Sequence, residues 1–555
     1  MCGSFAQAST DPQAVWVYQS YPWHQFIYYH KAPGGGDPIN LTRALSRAWT
    51  SAVPKGKLLL LDLWADAGPL WRLLDSFFGH DFIWCMLHSF GGNDGMWADL
   101  RTVSREPVLA LQNSKPGSLQ GFSVTPEGID QNWIAYELML ETPWREQPLS
   151  PSELSSWVDG YAHRRGHGIS LAAQARVTSA WRSLAASVYN LSCASPADTP
   201  HNSSVCPAQR EPGLGFHALN RQPTIHYGSL FYKAKPLVAA WGQLLQAAAT
   251  ATTDADNNSN AIPSTLRHDL VDVSREALAA VSDIIASDVH RAIAAANAGP
   301  VRLQSQRMDS LIAEMDTLLG TDRAFLLGPW VQDARGWGHD ARETALYSFN
   351  AKYLITGWSF HYFGRLPGTG DYAARMWNGL LGTYYRARWA LYGQMAVNAI
   401  VAAGDQKHEW PNMTAWAIAE DNLTDSWAHA AGAGGVYPTS PSGDAVALSQ
   451  AAYTKYSALL LGPPPLPPAP PTPPSNSTPA GYEEHVGGYW KRGMKHGGAE
   501  HTVATCATAC TVESEGCVAF ELSATRVCYM FSSTSGDFIK NPGCRTFTKI
   551  HAREK

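Results

Sequence analysis

Long hydrophobic runs and a strong charge of either sign are missing from this chain of 555 residues. No run of about 18 apolar residues occurs, which argues against a membrane-spanning helix. A net charge of −5 with 16% charged residues gives no basic surface for nucleic acid. A serine nucleophile elbow, a phosphate loop and a dinucleotide fingerprint are also absent. No cofactor is therefore expected, and the length predicts several globular domains.

Signs of the secretory route occur in the body of the chain but not at its start. The first residues, MCGSFAQASTDPQAVW, lack the basic and apolar parts of a signal peptide. N-glycosylation triplets begin at Asn40, Asn190, Asn202, Asn257, Asn412, Asn422 and Asn476. With the clustered cysteines, they favour a glycoprotein of a lysosome, a vacuole or the cell exterior. The conflict with the start predicts a natural N-terminus further upstream.

Residues 1–145 have the pattern of parallel strands joined by crossover helices. Four short, nearly continuous apolar runs are separated by roughly 20–40 residues, as in buried parallel sheets. They are AVWVYQ (14–19), KLLLLDLW (57–64), DFIWCMLHSF (81–90) and LQGFSVT (119–125). The spacing predicts an α/β region with four strands.

Residues 146–460 change to long segments rich in Ala and Leu, with apolar positions three and four residues apart. This periodicity predicts amphipathic helices packed as a bundle. Within the region, the polar loop NLSCASPADTPHNSSVC contains Cys193 and Cys206, which are plausible partners in a local disulfide.

Residues 461–480 form a proline-rich linker, LGPPPLPPAPPTPPSNSTPA, which is stiff and extended. Residues 481–555 follow with five of the nine cysteines, at positions 506, 510, 517, 528 and 544. This density predicts a small disulfide scaffold. Zinc is the alternative, but no CxxC pair is present, so no metal site is expected.

Glu127 is the candidate catalytic carboxylate. It follows the predicted strand LQGFSVT and precedes a helix that begins near Asn132. At the carboxyl end of a parallel strand, its side chain would face the loops where such barrels hold their active sites. The alternative is that it only places a charge on the first turn of that helix.

Other polar and aromatic side chains are predicted at the same end of the sheet, where the strands have their carboxyl ends. Trp84, His88 and Asn93 follow or end the preceding strand, although a lone histidine is more often a core residue. Cys85 is interpreted as apolar packing. A mouth lined by carboxylates and aromatic rings suits carbohydrate chemistry.

Two further features are ambiguous. Asp62 and Asp66 lie at the exit of an apolar strand, and either could be a substitute acid. Asp62 needs a hydrogen-bond partner within such a run, so it is structural or part of the pocket. His163 and His167 have the i,i+4 spacing of metal ligands, but the sequence GHG there is typical of a helix end.

Several motifs together resemble those of glycoside hydrolase family 89, the lysosomal-type α-N-acetylglucosaminidases. The resemblance covers roughly residues 14–400 and rests on KLLLLDLWAD, FIWCMLHSFGGNDGMW, TPEGIDQNWIAYELM, AHRRGHG, SVYNLSC, LRHDLVDVSREAL and FLLGPW. It implies a small N-terminal domain, a (β/α)8 barrel and an all-helical C-terminal domain. The implied activity is retaining removal of terminal α-linked N-acetylglucosamine, from heparan sulfate in animals. It gives Glu127 the role of nucleophile and brings Trp330 to the sugar.

The departures from the family pattern predict a defect. The family's acid/base residue is a Glu in an Asn-Glu motif on the strand before the one that matches AVWVYQ, and MCGSFAQASTDPQ contains no Glu. The chain is therefore expected to hold the second half of the barrel, with unpaired strand edges, and to be inactive by itself. Where the family has Gln-Gly-Trp, this chain has Gln19-Ser20-Tyr21, so Tyr21, with Trp23 close by, is the expected aromatic contact.

The tail resembles a PAN/apple module, an α+β disulfide-knit domain that binds carbohydrates or proteins. The resemblance implies disulfides Cys506–Cys528 and Cys510–Cys517 and leaves Cys544 unpaired. Two functions from different classes follow. One is an α-N-acetylglucosaminidase whose partner is a glycan ending in N-acetylglucosamine. The other is a non-catalytic secreted protein that binds glycans or proteins through residues 481–555.

Overall fold

A computed structural model describes two compact units, Met1–Pro463 and Pro464–Lys555. In the first unit it describes residues 16–19, 38–88, 95–127, 132–191, 217–224, 230–253, 262–357, 371–404, 410, 412–430 and 437–462. In the second unit it describes the backbone of residues 482–490, 494–496, 519–522, 528–531 and 538–549. Tyr21, Asn93, Cys193 and Cys206 lie outside these ranges.

A four-stranded parallel sheet opens the first unit, in the order β1-β2-β3-β4. The strands are β1 (Trp16–Gln19), β2 (Leu58–Asp62), β3 (Asp81–Met86) and β4 (Leu119–Val124). Each falls within one of the four predicted apolar runs, which confirms the α/β prediction. The intervening helices are α1 (Pro38–Ser51), α2 (Leu70–Leu73), α3 (Leu100–Val103), α4 (Glu106–Asn113) and α5 (Trp133–Glu141).

The two faces of the sheet differ in burial. Leu58 and Leu60 of β2 are fully buried, and they share one core with Phe82 and Trp84 of β3 and with Leu138 of α5. The alternate residues Leu59, Leu61 and Ile83 are only half-buried. Because side chains alternate along a strand, the first set faces the helices and the second faces the opposite side of the sheet.

The predicted helical bundle follows and is confirmed. Its helices are α6 (Pro151–Arg165), α7 (Leu171–Ala185), α8 (Ala234–Thr253), α9 (Ser264–Ala294), α10 (Ala298–Leu319), α11 (Leu327–Gly336), α12 (Ala341–Leu354), α13 (Arg386–Ala403), α14 (Met413–His429) and α15 (Ala445–Leu461). Short 3₁₀ turns occur at Phe77–Gly79, Thr142–Trp144, Ala218–Asn220 and Arg323–Phe325, and a π-helical turn, Leu381–Tyr385, leads into α13. Ser150 begins α6 with a capping box that it forms with Glu153. The 31-residue α9 is the central helix and packs against α8, α10 and α15.

Buried charges tie this bundle together. The ring of His217 lies 2.8 Å from Asp283 and 3.2 Å from Glu276, both on α9. Glu276 also accepts a hydrogen bond of 2.5 Å from the Tyr232 hydroxyl. Burial opposes the charge on His217, but the two carboxylates outweigh it and raise the pKa of the ring to about 10. Burial likewise opposes the charge on Glu276, and His217 nevertheless lowers its pKa to about 2.

These pKa shifts predict how stability depends on pH. The raised pKa of His217 contributes stability that is complete below its ordinary 6.5 and is lost as pH rises towards 10. The lowered pKa of Glu276 contributes stability above about 4.5 that is lost towards pH 2. We expect the free energy of unfolding in urea to be higher at pH 6 than at pH 9. His217→Gln should shrink that difference, and an equal loss in both proteins would contradict the assignment.

The second unit forms a five-stranded antiparallel sheet. Its strands are β5 (Tyr482–Trp490), β6 (Met494–His496), β7 (Ala519–Leu522), β8 (Cys528–Phe531) and β9 (Phe538–Lys549), in the order β5-β9-β7-β8-β6. The side chains of its cysteines lie outside the described structure, so the disulfide pairings remain predictions. Cys85 of the first unit is a buried free thiol on β3. No helix in the described ranges has the length and apolarity to cross a membrane.

Candidate active site

Glu127 lies at the carboxyl end of β4, where the backbone is anchored to its neighbours. The Thr125 N–H donates to the carbonyl of Met86 at the end of β3, at 2.9 Å. The Thr125 hydroxyl donates to the carbonyl of Leu63, just after β2, at 3.2 Å. The chain is therefore held to two adjacent strands two residues before Glu127. The Glu127 side chain itself is exposed.

The helical region supplies a partner for this carboxylate. The hydroxyl of Tyr372 donates a hydrogen bond to Oε2 of Glu127. The two residues are 245 positions apart, and no local pattern in the sequence connects them. The contact brings a side chain of the helical region to Glu127, and the sequence pattern did not single out Tyr372.

The loops after β3 and β4 are bound to each other and to the helical region. Asn132, just before α5, accepts a hydrogen bond from the Trp97 N–H at 3.0 Å and donates to the Gly95 carbonyl at 3.1 Å. The Met96 N–H donates to Glu276 of α9 at 2.8 Å. Asn132 has a positive φ of 53°, which asparagine tolerates better than most residues. These contacts hold the chain just after the Glu127 loop against the segment that follows β3, and hold that segment against α9.

His88 follows β3 and is packed between two aromatic rings. Its ring stacks on Trp97 with centroids 4.2 Å apart and meets the edge of Tyr136 at 5.6 Å. The side chain is 3% exposed, and burial lowers the pKa of the ring to about 3, so it is neutral. Its Nε2 finds no hydrogen-bond partner among the described residues. A neutral, unsatisfied nitrogen can bind a polar group of a ligand, so the predicted sugar contact of His88 stays a prediction.

Trp84 lies on the wrong face of β3 for such a contact. It is in register with Asp62 of β2 and Phe122 of β4, on the face covered by helices. The side chain is 0% exposed, and its ring packs 6.5 Å from that of Phe122. The predicted substrate contact of Trp84 stays a prediction, and this placement does not support it. Its role in the described structure is core packing.

Asp62 and Asp66 are structural carboxylates. Asp62 accepts hydrogen bonds from the N–H groups of Leu70 and Trp71 at the start of α2, at 3.3 and 2.9 Å. Asp66 accepts from the N–H groups of Leu87 and His88, both at 3.0 Å. Burial raises the pKa of Asp62 to about 7 and that of Asp66 to about 6. Such values suit a general acid, but both groups are buried and bound to backbone, so the structural alternative is favoured.

The remaining candidates are resolved only in part. Trp330 on α11 is half-buried, donates its indole N–H to the Ala351 carbonyl at 2.8 Å and packs 5.9 Å from Trp377. Its contact with a sugar remains a prediction, as do those of Tyr21 and Asn93. His163 and His167 are exposed around the end of α6. In the part of the chain that is described, no group of three or more His, Cys, Asp or Glu could hold a metal ion.

Comparison with known proteins places this geometry in a class. The chain is similar in fold to a family 89 glycoside hydrolase from Clostridium perfringens solved with PUGNAc, with a TM-score of 0.60 at 23% identity over 80% of this chain and 44% of that one. A double Glu→Gln variant, solved with its substrate GlcNAc-α-1,4-galactose, matches with a TM-score of 0.61 at 23% identity over 81% and 45%. At this identity the likeness establishes the fold alone.

Sequence comparison defines the family. Residues 5–146 match the model of the α-N-acetylglucosaminidase TIM-barrel domain, and residues 157–455 match that of the α-N-acetylglucosaminidase C-terminal domain. Human α-N-acetylglucosaminidase is 31% identical over 460 residues, which are 81% of this chain and 54% of the human protein. The chain belongs to the α-N-acetylglucosaminidase family. It spans about half the length of the relatives it matches.

Proposed function

We propose that this chain acts on terminal α-linked N-acetylglucosamine, with Glu127 as the attacking carboxylate. The observation that carries the proposal is an exposed carboxylate at the carboxyl end of a barrel strand, in contact with a hydroxyl of the helical domain. The family membership supports the substrate class, since the human relative is an α-N-acetylglucosaminidase. Heparan-sulfate-type glycans are the proposed source of this sugar.

The chemistry follows from two carboxyl groups about 5–5.5 Å apart, as retaining hydrolysis requires. Glu127 attacks the anomeric carbon while a second carboxylic acid protonates the leaving oxygen. A glycosyl ester of Glu127 results, and water, deprotonated by the second carboxylate, then hydrolyses it. Neither Asp62 nor Asp66 is available to serve as that second group, because each binds two backbone N–H groups.

A turnover assay tests this division of roles. We expect purified residues 1–555 to hydrolyse an aryl α-glycoside of N-acetylglucosamine about 10²–10⁴-fold more slowly than a relative with both carboxylates, because the general acid is not among the identified residues. The measurement is release of the aryl alcohol under saturating substrate. Rapid turnover that Glu127→Gln abolishes would mean that another residue of this chain supplies the acid.

Passage through the secretory route is the proposed localisation. Asn40, Asn190, Asn412 and Asn422 begin glycosylation triplets, and all four side chains are exposed. If the protein enters that route, an endoglycosidase will reduce its mass when it is produced in eukaryotic cells. An unchanged mass would contradict the proposal. Proteins on this route are then sorted to a lysosome, a vacuole or the cell exterior, which are the proposed final compartments.

The second candidate function is non-catalytic binding by the tail. It is favoured by one observation, the separate compact unit with its own five-stranded sheet. In that case the full chain and its Glu127→Gln variant should bind equally well to immobilised glycans. Binding that depends on Glu127 would assign recognition to the first unit instead.

A further inference from the structure

We propose that Tyr372 is a positioning residue for Glu127, so that the helical domain sets the orientation of the attacking carboxylate. This inference rests on the proposed role of Glu127. It assigns a function to a residue of the helical domain outside the motifs that define the family resemblance.

The first step is the contact itself. The Tyr372 hydroxyl donates a hydrogen bond to Oε2 of Glu127. A hydrogen bond to one oxygen restricts rotation of the carboxylate plane. Nucleophilic attack requires the reacting atoms to meet within about 3–3.5 Å and in the correct direction, so such restriction favours reaction. An exposed glutamate without this bond would sample several rotamers.

The second step is how Tyr372 is held. The preceding residue, Asp371, is buried and has a φ of +62°, a conformation that costs energy unless the surroundings maintain it. Its N–H donates to the Thr356 carbonyl at 3.1 Å, and its own carbonyl accepts a hydrogen bond from Arg221. Both carboxylate oxygens lie 2.8 Å from Nη1 of Arg388. The backbone that carries Tyr372 is therefore fixed at several points.

The third step is the anchor of Arg388 in the bundle. Arg388 on α13 is 0% exposed and also lies 3.3 Å from the carboxylate of Glu420 on α14. Its guanidinium stands over the ring of Tyr385, 4.8 Å from the centroid, and 5.3 Å from that of Tyr384. The chain of contacts thus runs from the core of the bundle through Asp371 and Tyr372 to Glu127.

A Tyr372 that only packs and a Tyr372 that orients Glu127 have different effects on ligand binding. If Tyr372 merely packs between the barrel and the bundle, removing its hydroxyl would affect ligand binding to the same extent in the presence and in the absence of Glu127→Gln. If Tyr372 orients the carboxylate, removing its hydroxyl will weaken ligand binding only when Glu127 is present. A double-mutant cycle separates the two possibilities.

The probe is 2-acetamido-1,2-dideoxynojirimycin, the ligand of a related solved complex, whose ring amine pairs with a carboxylate when protonated. Its affinity is measured by calorimetry for the full chain and for Tyr372→Phe, Glu127→Gln and the double variant. We expect Tyr372→Phe to weaken binding about 3- to 10-fold, the typical effect of one hydrogen bond, and to change it less than about twofold when glutamine replaces Glu127. The control Tyr347→Phe removes the hydroxyl of a half-buried tyrosine on α12 and should leave the affinity unchanged.

The outcomes separate this inference from the function on which it rests. Unchanged affinity in Tyr372→Phe, or the same loss in both backgrounds, would overturn the positioning role while the proposed function stands. If the unmodified chain does not bind the probe, the proposed function fails and the positioning role fails with it. Thermal unfolding of each variant confirms that a loss of affinity is not a loss of fold.

Discussion

Glu127→Gln is expected to weaken binding of 2-acetamido-1,2-dideoxynojirimycin by about 10- to 100-fold, the usual value of a hydrogen bond to a charged group. Glutamine has the same size as glutamate but no charge, so it keeps the contact area and removes the pairing with the ring amine. Because Glu127 is exposed, the free energy of unfolding should change by no more than about 0.5 kcal/mol.

The matched control for this prediction is Glu146→Gln. Glu146 is also an exposed carboxylate of the same unit, but it follows the last helix of the barrel region rather than a strand end. Its replacement should leave the affinity unchanged. Equal affinities of the Glu127→Gln variant and the unmodified chain would remove Glu127 from the binding site.

Arg388→Met is expected to lower the free energy of unfolding of the first unit by about 3–5 kcal/mol. Arg388 is buried between Asp371 and Glu420, and methionine keeps the apolar contacts while leaving two carboxylates without their cation. Burial already raises the pKa of Glu420 to about 7 even with Arg388 present, which indicates how costly its charge is in this position. Urea unfolding followed by far-ultraviolet circular dichroism measures the change.

Arg386→Met is the control on the same helix. Arg386 pairs with Asp309 at 2.6 and 2.8 Å, in a geometry at least as good as that of the buried pair, but both side chains are exposed. An exposed pair contributes about 0–1 kcal/mol, so this variant should be destabilised only slightly. If both variants lost a similar free energy of unfolding, burial would not be what makes the Arg388 site important, because burial is the difference between the two sites.

The sequence predicts the strands well, because each is a short apolar run between turn-forming residues. It does not predict which residues of a strand face the site. DFIWCML is apolar on both faces, so nothing in it distinguishes Trp84, which lies against the helices, from residues on the open side. The register with Asp62 and Phe122 resolves this, and register is a property of the folded sheet.

The partners of Asp62 and Tyr372 are likewise set by the folded structure and cannot be read from the sequence. An aspartate in an apolar run requires a partner, and the sequence leaves open whether that partner is a ligand or the backbone. The structure identifies it as the start of α2, two N–H groups that become available only when the turn after β2 is formed. Tyr372 is harder still, because its contact with Glu127 depends on how the bundle packs against the sheet, and no spacing along the chain encodes that contact.

Covalent trapping identifies the residue that attacks the sugar, which we propose is Glu127. A 5-fluoro-α-N-acetylglucosaminyl fluoride has a leaving group that departs with little help from an acid, so attack by Glu127 does not depend on the second carboxylate. Incubation with purified residues 1–555, followed by proteolysis and mass spectrometry, locates the sugar. We expect a glycosyl adduct on the peptide that contains Glu127, and none in the Glu127→Gln variant. An adduct on another carboxylate, with Glu127 unmodified, would contradict this proposal.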